Sequence, residues 1–252
     1  MGALSGRRIM DVGTSEADWQ AWGYLAELPA VTAAGLLGEA TRMVCAAPHP
    51  DDEVLGCGGL IAMAVAAGIE VVVVSITDGE ACYPGSLAWP SQRLRQVRVR
   101  EQERAMAALG VSREAIVRFR IPDGTIAENE FELRSRLLDQ CRSGDLILVP
   151  WQRDGHPDHE ATARACLAVA ATAGARVLQC PIWAWHWARP DGRDFASTPL
   201  RRLALTPAAC AAKHAALACF ESQYCPESID APILPSHVLQ RFKRPFEAFF
   251  HE

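Results

Sequence analysis

Two short segments carry residues suited to metal chemistry. His49-Pro50-Asp51-Asp52-Glu53 offers one imidazole and three carboxylates, and His156-Pro157-Asp158-His159 offers two imidazoles around a carboxylate. A catalytic zinc needs three nitrogen or oxygen ligands and a fourth position open to water, and His and Asp supply such a set without cysteine. A spare carboxylate beside the ion can take a proton from that water. Either segment alone reads equally well as a strand-to-helix turn, because Asp caps a helix and Pro opens one. Asp158 alone reads equally as a first-turn carboxylate favoured by the helix dipole. Two such segments at matching strand ends favour a metal-binding cleft.

The elements that must position them alternate from Met43 onward. Met43–Ala47 is a short apolar run ending at Pro48, and Glu53–Gly68 reads as a small-residue helix closed by glycine. Glu70–Ile76 is β-branched along nearly its whole length, as strands buried on both faces are. Gln92–Leu109, Glu128–Cys141 and Pro157–Ala173 read as helices; Ile116–Ile121, Asp145–Val149, Ala175–Ile182 and Arg201–Leu205 read as strands; Pro207–Phe220 reads as a late helix. This alternation predicts an α/β fold, a Rossmann-like three-layer α/β/α arrangement with a mostly parallel sheet and right-handed crossovers. Ligands in such folds sit beyond the carboxyl ends of the strands, where both segments fall. Residues 1–40 read as an N-terminal extension packed on the core, and 41–252 as the main domain.

The two segments, and the order of motifs between them, resemble the PIG-L/LmbE-like family of zinc-dependent N-acetylglucosaminyl de-N-acetylases. Pro48–Glu53 is similar to its (A/P)-H-P-D-D-E signature, and His156–His159 to its H-x-D-H motif. Thr77-Asp78-Gly79-Glu80, Arg98 with Glu101, Pro122-Asp123-Gly124, and Lys213 through Ser222-Gln223 agree as well. The resemblance runs from about Met43 to Gln223. It implies that His49, Asp52 and His159 hold Zn2+, and that Asp51 is the general base for the attacking water. It further implies that His156 stabilises the oxyanion or protonates the leaving amine, with Asp158 orienting it and favouring its charged form. A His/Asp set does not select zinc by affinity alone, so Fe2+ or another divalent ion also fits. Arg98, Asp78, Glu80, Asp154 and His186 are expected to border the substrate, with Asp154 equally placed to support His156. The implied reaction hydrolyses the N-acetyl, or another N-acyl, group of an amino-sugar conjugate. Thiol-conjugate amidase or deacylation of a natural-product glycoside are alternatives on the same site. A non-catalytic nucleotide- or metal-binding module is the alternative of a different class.

Composition narrows these classes. Half of the 252 residues are hydrophobic, which excludes a disordered chain. A formal charge of −5, from 25 basic and 30 acidic residues, gives no footprint for nucleic acid. Gly68 and Glu70 break the longest apolar stretch, so no membrane span is expected. Nine cysteines without a C-x-x-C pair suggest reduced core thiols and a cytoplasmic protein, and a homo-oligomer is left open. Gly56-Cys57-Gly58-Gly59 lacks dinucleotide spacing and reads as close helix packing. Trp183, Trp185 and Trp187 around His186 read as packing more than as a sugar platform, while Cys82 and Tyr83 fall on a loop able to cover the cleft. His214, His237 and His251 have no partner pattern.

Overall fold

The computed structural model describes residues 12–224 and 231–250. Eight strands form one sheet: β1 (Ala30–Val31), β2 (Arg42–Ala47), β3 (Glu70–Ser75), β4 (Ile116–Arg118), β5 (Leu146–Pro150), β6 (Arg176–Cys180), β7 (Leu200–Ala204) and β8 (Phe246–Phe250). Their order is β1-β7-β8-β6-β5-β2-β3-β4. All pairings are parallel except those of β8, which runs antiparallel to β6 and β7. The expected α/β fold with a mostly parallel sheet is therefore present. The strands β1 and β8 are additions to the sequence-based set. The strand expected over 116–121 stops at Arg118, because Arg120 adopts φ +56° and turns the chain.

Five long helices cover the sheet: α1 (Asp52–Ala66), α2 (Ser91–Ala108), α3 (Glu130–Leu138), α4 (Pro157–Ala173) and α5 (Pro207–Leu217). Helices α1, α2 and α5 pack together on one face, and α3 with α4 on the other. Successive strand side chains point to opposite faces. Met43 and Cys45 of β2 accordingly enter one core, and Val44 and Ala46 the other. Pro157 in the first turn and Gly174 at φ +71° bound α4, as the sequence predicts.

The segment before residue 41 contributes the edge strand β1 to the sheet. Its fully buried Trp19 donates Nε1–H to the Trp185 carbonyl at 3.0 Å, and its Glu16 pairs with Arg244 at 2.6 Å. Tryptophans 183–187, expected at a strand end, instead border the short helix Ala184–Trp187. Eight cysteines are free thiols among the described residues, and Cys225 and His251 lie outside them. No helix among the described residues is long and apolar enough to cross a membrane.

Helix α1, whose first residue is Asp52, is kinked at Cys57, where φ is −146° and ψ 19°. The kink interrupts the backbone ladder, and a buried ion pair takes up the freed groups. Lys213 of α5 donates to the Leu55 carbonyl at 2.9 Å and to Glu247 of β8 at 2.6 Å. Glu247 accepts in turn from the Gly59 and Leu60 amides at 2.7 and 2.8 Å. The kink also brings Gly56 so close to β6 that a Cβ there would lie 2.3 Å from Cys180 Sγ, which requires glycine. Removing one partner of such a pair strands a buried charge, at about 3–5 kcal/mol. Lys213→Met should lower the unfolding free energy by about that amount in a urea titration. A loss below about 1 kcal/mol would show that the pair does not hold the kink.

Candidate metal centre

The two motif loops follow adjacent strands. β2 and β5 pair in register, Met43 with Leu146, Val44 with Ile147 and Cys45 with Leu148, so the chain leaves them side by side. This is the switch point of the sheet, between strands whose crossovers run in opposite directions. Helices α1 and α4 begin there, bringing Asp52 and His159 in from their first turns.

One carboxylate oxygen faces an imidazole nitrogen of each of two histidines. Asp52 Oδ2 lies 3.1 Å from His49 Nδ1 and 3.2 Å from His159 Nε2. Ligand atoms around a tetrahedral ion with bonds of about 2.0–2.1 Å stand about 3.3 Å apart, so these edges fit such an ion. His159 Nε2 is buried and makes no hydrogen bond. An orphaned imidazole nitrogen beside a carboxylate is the observation that suits a cation.

The far nitrogens of both rings are held by carboxylates, an arrangement that fixes the tautomer of a metal-binding histidine. His159 Nδ1 lies 2.8 Å from Asp154, whose oxygens also accept from the Ile182, Trp183 and Ala184 amides. His49 Nε2 lies 3.1 Å from Asp123 and 3.3 Å from Asp158. The surplus of carboxylates governs the proton affinities. Burial pushes His159 down, but Asp52 and Asp154 outweigh it and raise its pKa to about 9. His49 is likewise raised, with Asp123, Asp158 and Asp52 overcoming burial. Asp52 is held well below the carboxylate range, because the two imidazoles overcome its desolvation. Two sets, His49 with His156 and His159, and His49 with Asp123 and Asp158, bring ligand atoms within 4.8 Å of one another. His49 Nδ1 faces Asp52 while its Nε2 faces Asp123 and Asp158, so the first ring nitrogen is the one directed at the Asp52–His159 edge.

Asp51 lies beside this point in a strained backbone, φ 139° and ψ −27°, which costs of order 1–3 kcal/mol. Glu53 accepts its amide at 3.2 Å, and Arg98 grips its carboxylate at 2.9 Å. Burial raises the Asp51 pKa to about 7 against the opposing pull of Arg98. Arg98 also donates to the Pro50 and Gly79 carbonyls at 2.6 and 3.1 Å. Gly79, at φ +66°, is required there, since a Cβ would lie 2.1 Å from the guanidinium.

His156 stands over the rings of His49 and His159, with centroids 4.8 and 4.7 Å away. Its Nδ1 accepts the Asp158 amide at 3.2 Å, which leaves the ring proton on Nε2. Burial, with positive charge on His159 and His49, lowers its pKa to about 3.

Several expected contacts are corrected. The Asp158 carboxylate accepts from the Gly124 and Ile126 amides and faces His49, so it neither orients the His156 ring nor holds it charged. Asp78 and Glu80 turn from the cleft toward Arg95, at 3.6 and 2.9 Å, and Arg118 lies 3.8 Å from Asp78. Asp154 is fully buried beneath His159 and reaches neither substrate space nor His156. Arg98 borders the cleft but spends its terminal nitrogens on Asp51 and two carbonyls. His186 is buried, accepts from Arg241 at 2.9 Å, and lines a neighbouring cavity instead of the pocket over the centre.

The centre floors a pocket of about 240 Å³ walled by Asp123, His156, Trp183, Gln223 and Ile233 among others. Asp123, in the turn that follows β4, is a site residue that the sequence marks only through its Pro-Asp-Gly turn. Gln223 reaches the wall because Glu101 anchors Ser222 through its amide and hydroxyl, at 2.8 and 2.7 Å.

A model of the GlcNAc-PI de-N-acetylase family, PIG-L, matches residues 44–170, which include both motif loops. The chain belongs to the PIG-L family. Diacetylchitobiose deacetylase of Thermococcus kodakarensis is 32% identical over 124 residues, 47% of this chain and 45% of that protein. 1D-myo-inositol 2-acetamido-2-deoxy-alpha-D-glucopyranoside deacetylase of Mycolicibacterium gilvum is 30% identical over 172 residues, 58% of this chain and 59% of that protein. The chain thus spans about half the length of the curated relatives it matches. The zinc-inhibited form of teicoplanin deacetylase Orf2 superposes with a TM-score of 0.59 at 20% identity, covering 83% of this chain and 97% of that one, a likeness of fold.

The Asp51–Arg98 contact makes a direct prediction. Arg98→Met should cost about 3–5 kcal/mol in urea denaturation by leaving a buried carboxylate unpaired. Adding Asp51→Asn should recover part of that loss. Strictly additive losses would show that the two side chains are not coupled.

Proposed function

We propose that this PIG-L family chain is a metal-dependent deacylase that hydrolyses the N-acetyl amide of an amino-sugar conjugate. The observation that carries the reading is Asp52 Oδ2 between two histidine nitrogens, one of them buried without a hydrogen bond. His49, Asp52 and His159 would hold the ion, zinc or another divalent metal. The two curated relatives described above are both deacetylases, which supports an acetylated sugar as the substrate class.

A divalent ion held there supplies Lewis acidity to the amide carbonyl and lowers the pKa of water to about 7. The remaining chemistry falls to side chains. Asp51 accepts a proton from the attacking water, and its pKa near 7 suits transfer at neutral pH. Arg98 fixes one of its oxygens, leaving the other to the reaction. His156 directs Nε2–H at the oxygen that gains charge as water adds to the carbonyl, a donor commonly worth about 3–4 kcal/mol. Asp51 then returns the proton to nitrogen as the C–N bond breaks, giving acetate and a free amine. Asp123 and Asp158 keep the His49 ring turned so that Nδ1 faces the centre. The segment before residue 41 acts as an extension that braces the short helix Ala184–Trp187 through Trp19.

The set His49, His156 and His159 favours a second reading, in which His156 is a ligand. Substitutions separate the two. Elemental analysis of wild-type protein should find one divalent ion per chain, and a chelator should abolish release of acetate. Asp51→Asn and His156→Ala should each retain the ion while losing at least about a hundredfold in kcat. Loss of the ion in His156→Ala would assign that ring to the metal instead. Protein without stoichiometric metal would leave a nucleotide-binding module as the better reading. Asp154→Asn should weaken divalent-ion affinity about 10–100-fold by freeing the His159 ring; unchanged affinity in a competition titration would remove Asp154 from the centre.

A further inference from the structure

The pocket over the metal centre, about 240 Å³, is smaller than the roughly 300–1,000 Å³ of most small-molecule sites. A second cavity of about 610 Å³ shares Cys82, His156, Trp183 and Ile233 with it, so the two spaces adjoin. Beyond the junction the wall is built from Pro232, Pro235 and Val238, with Ala231 at an exposed rim and the imidazoles of His186 and His237 as its polar groups. No lysine or arginine lines this annex among the described residues. The Arg241 guanidinium is buried, and it donates to His186 and, at 2.6 Å, to the Thr14 carbonyl. An anionic group entering the annex would lose its water and meet two imidazoles but no lysine or arginine, whereas a hydrocarbon would gain from the transfer.

We infer that the annex is an aglycone subsite, which receives an uncharged apolar group carried by the amino sugar. The inference rests on the deacetylase reading for its orientation. An acetyl group ends at a methyl, so the part of the substrate long enough to reach past Trp183 belongs to the amine half. The chain is then selective for N-acetylglucosaminides with an aliphatic or aryl aglycone over phosphorylated conjugates.

The test uses the metal-loaded full chain and the methyl, butyl and hexyl β-glycosides of N-acetylglucosamine. KM should fall about two- to fourfold per added methylene with kcat nearly constant, because a remote contact is the same in ground and transition states. The corresponding glucosaminides, which cannot be turned over, should bind with the same trend in calorimetry. Ala231→Asp, which touches only the annex, should flatten both series and leave the methyl glycoside unaffected. Flat series in the wild type overturn the inference while methyl-glycoside turnover keeps the deacetylase reading. Preference for a longer N-acyl chain over a longer aglycone also overturns it, by placing the acyl half in the annex. Chain-length-dependent binding with no turnover of any glycoside supports the apolar subsite and removes the deacetylase reading.

Discussion

One carboxylate oxygen, Oδ2 of Asp52, accepts the His49 amide at 2.9 Å and faces a nitrogen of each of two histidines. Burying a carboxylate is costly unless positive charge lies beside it. Without an ion, that charge is supplied by protons on His49 and His159, whose affinities are raised for this reason. Two such protons carry the same charge as one divalent cation, and binding a metal to imidazoles releases protons. A divalent cation at this point would take over the role of those protons. Asp154, Asp123 and Asp158 serve that exchange by turning each ring, and the sheet serves it by setting β2 beside β5.

Much of this arrangement is legible in the sequence, where local pattern and tertiary placement agree. The strand ends before Pro48 and after Val149 follow from apolar runs closed by proline, and α4 follows from Pro157 and Gly174. The charged face and closing glycine of Ser91–Ala108 are equally local signals. β8 is not legible in this way. Phe-Glu-Ala-Phe-Phe pairs antiparallel between two parallel strands, and its buried Glu247 answers a lysine 34 residues away. Nothing local announces that partnership.

Within the site, residue types were readable and directions were not. His156 and Asp158 are two apart at a helix start, and residues at that spacing do not face each other on a helix. The carboxylate therefore meets His49 from the other loop, and only the backbone amide meets His156. Asp78 and Glu80 depend on Arg95 and Arg118, which arrive from α2 and β4. Arg98 carries a buried charge whose counterpart is set by the loop conformation at Asp51, a φ that no propensity favours. The PIG-L motif names these residues; which atom each turns toward is decided by the packing of four separate strand ends.

Asp154 joins two regions that differ in kind. Its carboxylate holds the His159 ring and at the same time gathers the three consecutive amides of Ile182, Trp183 and Ala184. Trp183 is the wall shared by both cavities. A rigid knot of backbone and carboxylate therefore ties the partition between the two spaces to the imidazole at the centre. The backbone of the residue that separates the two cavities thus shares its anchor with the imidazole of His159.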